Sequence, residues 1–275
     1  MTMANKSAGG TASQVGRLLQ HWRSVRRKSQ LALAVEAEVS PRHLCFVETG
    51  RASPSREMVL ILASALDVPL RERNDLLLAA GYAPVYRETD LAAPALAQAR
   101  KALDCILQKQ EPYPAVVMDR HWNIVMTNVG AERFFGSFLD LAAQPTPANV
   151  LRLIFHPGGL RPFVDNWEVL AEALVQRAHR EAVGGIPDEE TMRILDEILA
   201  YPGVPRRFRT PNFASVPVPI IPVQVRKDDL ALAFFSTVTT LGTPQDITLQ
   251  EIRIECFFPA DAVTETWSGD AALRR

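Results

Sequence analysis

Between residues 14 and 80 apolar positions recur every three or four residues in a series of short runs. VGRLLQHWRSVRRKS places Val15, Leu18, Leu19, Trp22 and Val25 on one face and its arginines on the other, which predicts a helix. Ser29 stands ahead of QLALAVEAE as an N-cap. Ser40 precedes PRHLCFVETG, with Pro41 at the first helical position and Gly50 as the stop. Ser55 caps REMVLILASALD, and LRERNDLLLAAG ends on Gly81. Five short helices are therefore expected over residues 14–80.

Beyond Gly81 the pattern changes twice. Pro84, Pro94 and Pro112 bracket ALAQARKALDCILQKQ, which reads as a connecting helix between two joints. PAVVMDRHWNIVMTN is then two β-rich runs about a turn, followed by the helical VGAERFFGSFLD. NVLRLIFH, FVDNWEVLAEALVQRAHREA and DEETMRILDEILA are helical, the last capped by Asp188. Six prolines between Tyr201 and Pro222 exclude helix and central strand. PVQVRKDDLALAFFSTVTTLGTPQDITLQEIRIECFFPAD alternates as three strands, with hairpin turns at Lys227 to Asp229 and around Gly242 to Asp246, so the chain is expected to end in a sheet. The boundaries that follow are a flexible tail at 1–13, a helical domain at 14–81, a linker with its helix at 82–111, an α/β domain at 112–265 and a tail at 266–275.

With 275 residues, 47% hydrophobic and 22% charged, the chain has ordinary globular composition and the length of two domains. Three cysteines, Cys45, Cys105 and Cys256, form no CxxC pair, which suits a reducing compartment and argues against structural zinc. No apolar run approaches the roughly 18 residues of a spanning helix, and MTMANKSAGGTASQ lacks an apolar signal core, so a cytoplasmic protein is expected, without membrane contact. The net charge of −1 conceals an asymmetry: residues 14–56 carry eight Lys/Arg against three Glu, and residues 57–275 carry −7. A basic end on an acidic body suits a reader of DNA, and equally a solvated basic face.

The short connection from Ala37 to Ser40 is the spacing of a helix-turn-helix, whose second helix enters the major groove. KSQLALAVEAEVSPRHLCFVETGRASPSREMVLILASALDV, with Gln30, Ala34, Val39, Ser40, Leu44, Val47, Glu48, Gly50, Pro54 and Ser55 in pattern, resembles the five-helix DNA-binding domain of the Cro and lambda-repressor type, the XRE family. It departs from that pattern at Glu38, where the family usually has Gly, so the turn must manage without an easy positive φ. On the helix over 40–49, Leu44 and Val47 face inward with Leu31 and Ala34, and Ser40, Arg42, His43 and Phe46 face outward as readers. Arg42 can donate bidentately to guanine, His43 can bond a base or phosphate, and Phe46 can lie on a thymine methyl or partly in the core. The resemblance implies phosphate contacts from Gln30, Arg51 and Arg56.

YPAVVMDRHWNIVMTNVGAERFFG, with Asn128 leading into a helix, resembles the opening of a PAS domain. Together with LLLAAGYAP, RLIFHPGGLRPFVDNWE and FSTVTTLGTPQDITLQEIRIECFFPAD, the whole arrangement resembles the MmyB-like transcription regulators. That resemblance implies a two-domain α+β bacterial regulator: an all-α lambda-repressor-like domain and a PAS-like α/β sensor with an antiparallel sheet, holding an apolar molecule such as a fatty acid. Trp122, Phe134, Phe135, Phe138, Phe155, Trp167, Phe234 and Phe235 would line such a pocket, or simply build a core. Arg152, His156 and Arg161 are candidates for a ligand carboxylate, or anchors for the Pro157-Gly158-Gly159 loop. The five histidines show no HExxH or HxH pairing and no GxSxG appears, so neither catalysis nor a metal is expected. The overall expectation is a homodimer on a two-fold operator, with the helix from Ala95 to Gln110 coupling ligand to DNA; the alternative makes the second domain a protein-interaction module without ligand.

Overall fold

A computed structural model describes residues 13–140, 143–183, 188–210, 220 and 222–270. The architecture is two-domain α+β. The chain divides into one unit up to Glu88, with Gln245–Ile247, and a second made of the remainder.

The first unit holds five helices: α1 Gln14–Val25, α2 Gln30–Glu36, α3 Pro41–Glu48, α4 Arg56–Ala65 and α5 Leu70–Ala79. Ser13, Ser29, Ser40 and Ser55 cap the first four, each hydroxyl accepting from the backbone N–H three residues on. Their inner faces form one core around Leu19, Trp22, Leu33, Leu44, Val47 and Leu62. One expected core position is corrected: Leu31 is 62% exposed, and Leu33 takes the inward place. Since α2 starts at Gln30 and packs through Leu33, Ala34 and Ala37, Leu31 and Val35 turn to the other side. Gly16 is a close-approach glycine, because a Cβ there would meet the carbonyl oxygens of Val47 and Glu48 at 2.7 and 2.6 Å.

In the second unit α6 Ala97–Gln110 leads to β1 Ala115–Met118, β2 Ile124–Thr127, α7 Val129–Phe138, α8 Val150–Phe155, α9 Trp167–Val183 and α10 Glu189–Ala200. The chain continues through β3 Val223–Lys227, β4 Leu230–Thr239, α11 Ile247–Glu251, β5 Arg253–Pro259 and α12 Ala262–Asp270. The sheet is antiparallel in the order β2-β1-β5-β4-β3. Strand alternation splits its side chains between two cores. Ala115, Val117, Ile254 and Cys256 meet Leu103 and Leu107 of α6 on one face. Val116, Met118, Val225, Leu232 and Phe234 meet the helices α7 to α10 on the other.

Three expectations change here. The helix read as part of a linker is a layer of the second unit, because its apolar stripe is needed to cover a sheet face. The β3–β4 hairpin turns at Asp228 and Asp229 as expected, with Asp228 at φ 51°. The connection from β4 to β5 is instead no simple hairpin, since Ile247–Glu251 forms a helical turn before β5. The chain does not end in a sheet: α12 reaches Asp270, into the stretch expected as a tail from 266. Residues 1–12 of the tail expected at 1–13, residues 271–275 and most of the proline-rich stretch, 211–219, lie outside the described residues.

Candidate DNA-reading face and ligand cavity

The turn between α2 and α3 places Glu38 at φ 53°, the left-handed conformation that glycine adopts without cost. Beyond it Ser40 spends its hydroxyl capping α3, accepting from the His43 N–H at 3.4 Å. Arg42 and His43 are exposed on the first turn of α3, while Leu44 and Val47 behind them are fully buried. Phe46 is half-buried, with the Arg42 guanidinium 5.4 Å and the Arg51 guanidinium 6.0 Å from its ring centre. The ring thus holds two cations on one surface. Arg51 and Arg56, the latter the first residue of α4, are exposed as well.

Glu48 supplies a feature that sequence reasoning missed. It is 0% exposed, and its carboxylate accepts from Arg23 at 2.9 and 3.0 Å and from the Gln30 amide at 2.7 Å. The Glu48 hydrogen bond holds the Arg23 guanidinium above its ordinary pKa against the opposing effect of burial. One carboxylate at the end of α3 therefore clamps α1 and α2 together. Gln30, expected at the phosphate backbone, has its amide nitrogen in this clamp. The apparent basic surplus is also reduced: Arg26 donates to the Leu66 and Asp67 carbonyls, and Lys28 to Glu36 and the Ala65 carbonyl. These cations close the C-terminal end of α4, while Arg42, Arg51 and Arg56 are exposed on and after α3. The available sequence signal was its place in the XRE-type pattern, eight residues after the capping Ser40; its pairing with Arg23 is set by packing.

In the second unit Asn128 pins the sheet to α7. Its side-chain oxygen accepts from the Ala115 and Ala131 amides, both at 2.9 Å, and its nitrogen donates to the Leu107 and Tyr113 carbonyls. The DRHWN turn is organised by Asp119, which accepts from the His121 and Asn123 amides and from the Asn123 side chain. That turn drives Trp122 to φ 68°, a strained value for a bulky residue, and its buried ring lies under the Arg177 guanidinium at 4.6 Å.

A cavity of about 60 Å³ opens between the sheet and α7, α8 and α9. Phe134 and Phe135 of the expected ligand set line it, together with Val116, Leu153, Leu174 and Phe257. Trp122, Phe138, Phe155, Trp167 and Phe234 are buried in the surrounding core instead; Trp167 donates its indole N–H to the Ile154 carbonyl at 2.8 Å. Phe235, on the opposite face of β4, stacks on Phe258 with ring centres 5.4 Å apart.

The three expected carboxylate partners are elsewhere and engaged. Arg152 forms a bidentate ion pair with Glu197, at 2.9 and 2.8 Å. Burial, reinforced by the hydrogen bond to Glu197, pushes the Tyr201 hydroxyl up to about 12. His156 meets the Tyr201 ring edge-on at 5.1 Å and accepts from the Gly158 amide through Nδ1. Arg161 donates to the Pro202 carbonyl and lies 4.2 Å from the Trp167 ring centre. Together they brace the loop and the end of α10, the anchoring role left open above. Among the described lining residues the polar one is Glu255, which sequence reasoning did not single out because a lone acid in a strand carries no motif.

The sequence profile described as the MmyB-like transcription regulator ligand binding domain matches residues 99–268, more than half of the chain. The chain belongs to this family. In this MmyB-like regulator a helix-turn-helix domain profile also matches residues 14–76, the helices just described. The MmyB-like chain is thus a DNA-binding transcription regulator with a ligand-binding domain, and its families are those of regulators. No curated protein matches it. Among solved structures, an RNA-binding light-oxygen-voltage receptor aligns over 100% of this chain and 69% of its own at 14% identity, with a TM-score of 0.30, too loose a likeness to bear on fold or function. Among the described residues, no helix of the MmyB-like regulator is long and apolar enough to cross a membrane.

Proposed function

We propose that this chain binds a two-fold DNA operator as a homodimer in the cytoplasm, with α3 in the major groove, and that an apolar small molecule in the sheet cavity modulates that binding. The observation that carries DNA reading is the exposed pair Arg42 and His43 on the first turn of a helix whose back is fully buried. A rigid backing presents those side chains to base edges at low entropic cost. Arg51 and Arg56 serve as phosphate contacts, and two half-sites supply affinity that one small module lacks. The ligand reading rests on the apolar cavity inside the family's ligand-binding region.

Selection of duplexes from a random library by the full chain would supply the operator. Arg42→Ala should then cost about 1 to 3 kcal/mol on that operator and relax base choice at one position, while Arg17→Ala changes specificity little. Equal weakening on operator and random DNA would show that α3 does not read bases.

A second reading has an observation of its own. The void of about 60 Å³ is far below the 300 Å³ at which small-molecule pockets begin, as expected of a protein-interaction module without ligand. Native mass spectrometry of the purified chain separates the two. A co-purifying mass of a fatty acid or similar apolar molecule supports sensing, and operator affinity identical with and without that molecule would sink the coupling.

A further inference from the structure

The wall of the cavity is apolar at every described lining position except Glu255. Glu255 sits in the middle of the sheet, opposite Val116 of β1 on one side and Val238 of β4 on the other. It is 9% exposed, and its carboxyl accepts from the Ser236 hydroxyl at 2.7 Å through one oxygen. No other hydrogen bond to it occurs among the described residues, so this lining residue has carboxyl capacity to spare. A carboxyl on an apolar wall is costly unless something pairs with it.

The charge environment decides which partner fits. Burial raises the Glu255 pKa, and Glu181 of α9 adds to the rise, against the Ser236 hydrogen bond and the Arg177 guanidinium of α9. The shift is toward the neutral acid, which accepts from Ser236 and has an O–H left to donate. No Lys, Arg or His lines the cavity among the described residues, so a carboxylate entering it would be desolvated without a counter-charge. An ammonium would have to be desolvated and could form an ion pair only after Glu255 had given up its proton to solvent.

Resting on the cavity reading above, we propose that Glu255 selects the polar group of the ligand: the site takes an apolar molecule bearing an uncharged oxygen acceptor, such as an ester, ketone or alcohol, that receives the Glu255 O–H. The free fatty acid expected from family resemblance is turned away as its carboxylate. The void is smaller than such a molecule, so binding displaces part of the wall formed by α8 and α9.

Isothermal titration of the full chain at pH 7.5 with methyl octanoate, octan-1-ol, octanoate and octylamine, which share one chain length, tests this. The ester and the alcohol should bind at least about tenfold more tightly than octanoate and octylamine. Glu255→Leu should lower ester affinity about tenfold, the loss of one hydrogen bond, whereas Glu255→Gln, whose amide N–H replaces the acid O–H, should keep the ester preference. Octanoate or octylamine binding as tightly as the ester, or an ester affinity unmoved in Glu255→Leu, overturns the proposal. Binding of none of the four probes overturns the cavity reading itself, and this proposal with it.

Discussion

At the residue scale, one strained backbone position and one buried ion pair carry energetic consequences that can be measured. Glu38 occupies φ 53° on an exposed turn, where the Cβ is a liability and nothing else compensates. Glu38→Gly should therefore stabilise the helical unit by about 0.5–1 kcal/mol, read as a rise in the urea midpoint of helical circular dichroism. The Arg23–Glu48 pair is asymmetric, with the arginine side chain 19% exposed and the carboxylate 0%. Removing the arginine strands a buried anion, whereas removing the anion leaves a cation able to reach water. Arg23→Met should cost about 3 kcal/mol and Glu48→Gln less than half of that, and equal losses would contradict the asymmetry. The double variant separates the coupling from the single costs.

Single side chains also act as joints between elements. Asn128 caps α7, receives the first amide of β1 and donates to two carbonyls ahead of that strand, so one amide group sets the angle between helix and sheet. Asn128→Ala should cost about 3 kcal/mol, because four backbone groups, most of them buried, lose a partner. Asn128→Asp, which keeps both acceptor bonds, should recover part of the loss in thermal denaturation. The Asx-organised turn before β2 does comparable work, forcing Trp122 inward at a strained φ. In the helical unit, α1 and α3 cross so closely that Gly16 admits no Cβ, a constraint that periodicity alone does not reveal.

For the whole molecule, acid should be the destabilising direction for the second unit. Burial holds the His179 imidazole below its ordinary pKa despite Asp196, and its Nε2 is buried without a hydrogen-bond partner. The unfolded chain therefore takes up this proton first, and the stability His179 contributes is lost as pH falls below about 6.5. Asp188 behaves in the same sense at lower pH: burial opposes it, but Thr191, Arg120 and His121 hold its carboxyl below the usual value. The melting temperature should fall between pH 7 and pH 5, and His179→Gln should flatten that slope. Glu255 runs the other way, its raised pKa costing stability as pH rises, so Glu255→Gln should melt higher than the parent at pH 8 and equally at pH 4. A saturating ligand in the cavity should add about 2.7 kcal/mol at a hundredfold excess over its Kd.

The chain's own pattern determined most of the helices, the caps, the strand alternation and the outward placement of Arg42 and His43, because these follow from periods of 3.6 and 2 and from local hydrogen bonding. It also carried the family, through motifs that are local. What it could not determine are the pairings across distance. Whether Arg152 meets a ligand or Glu197, whether Gln30 faces a phosphate or Glu48, and whether the aromatic cluster encloses a pocket or fills a core depend on which surfaces packing brings together. Glu255 shows this most plainly: in the sequence it is one acid in a strand, and only the closure of three helices over the sheet leaves it facing an apolar void. Its chemistry comes from desolvation, which tertiary structure alone supplies.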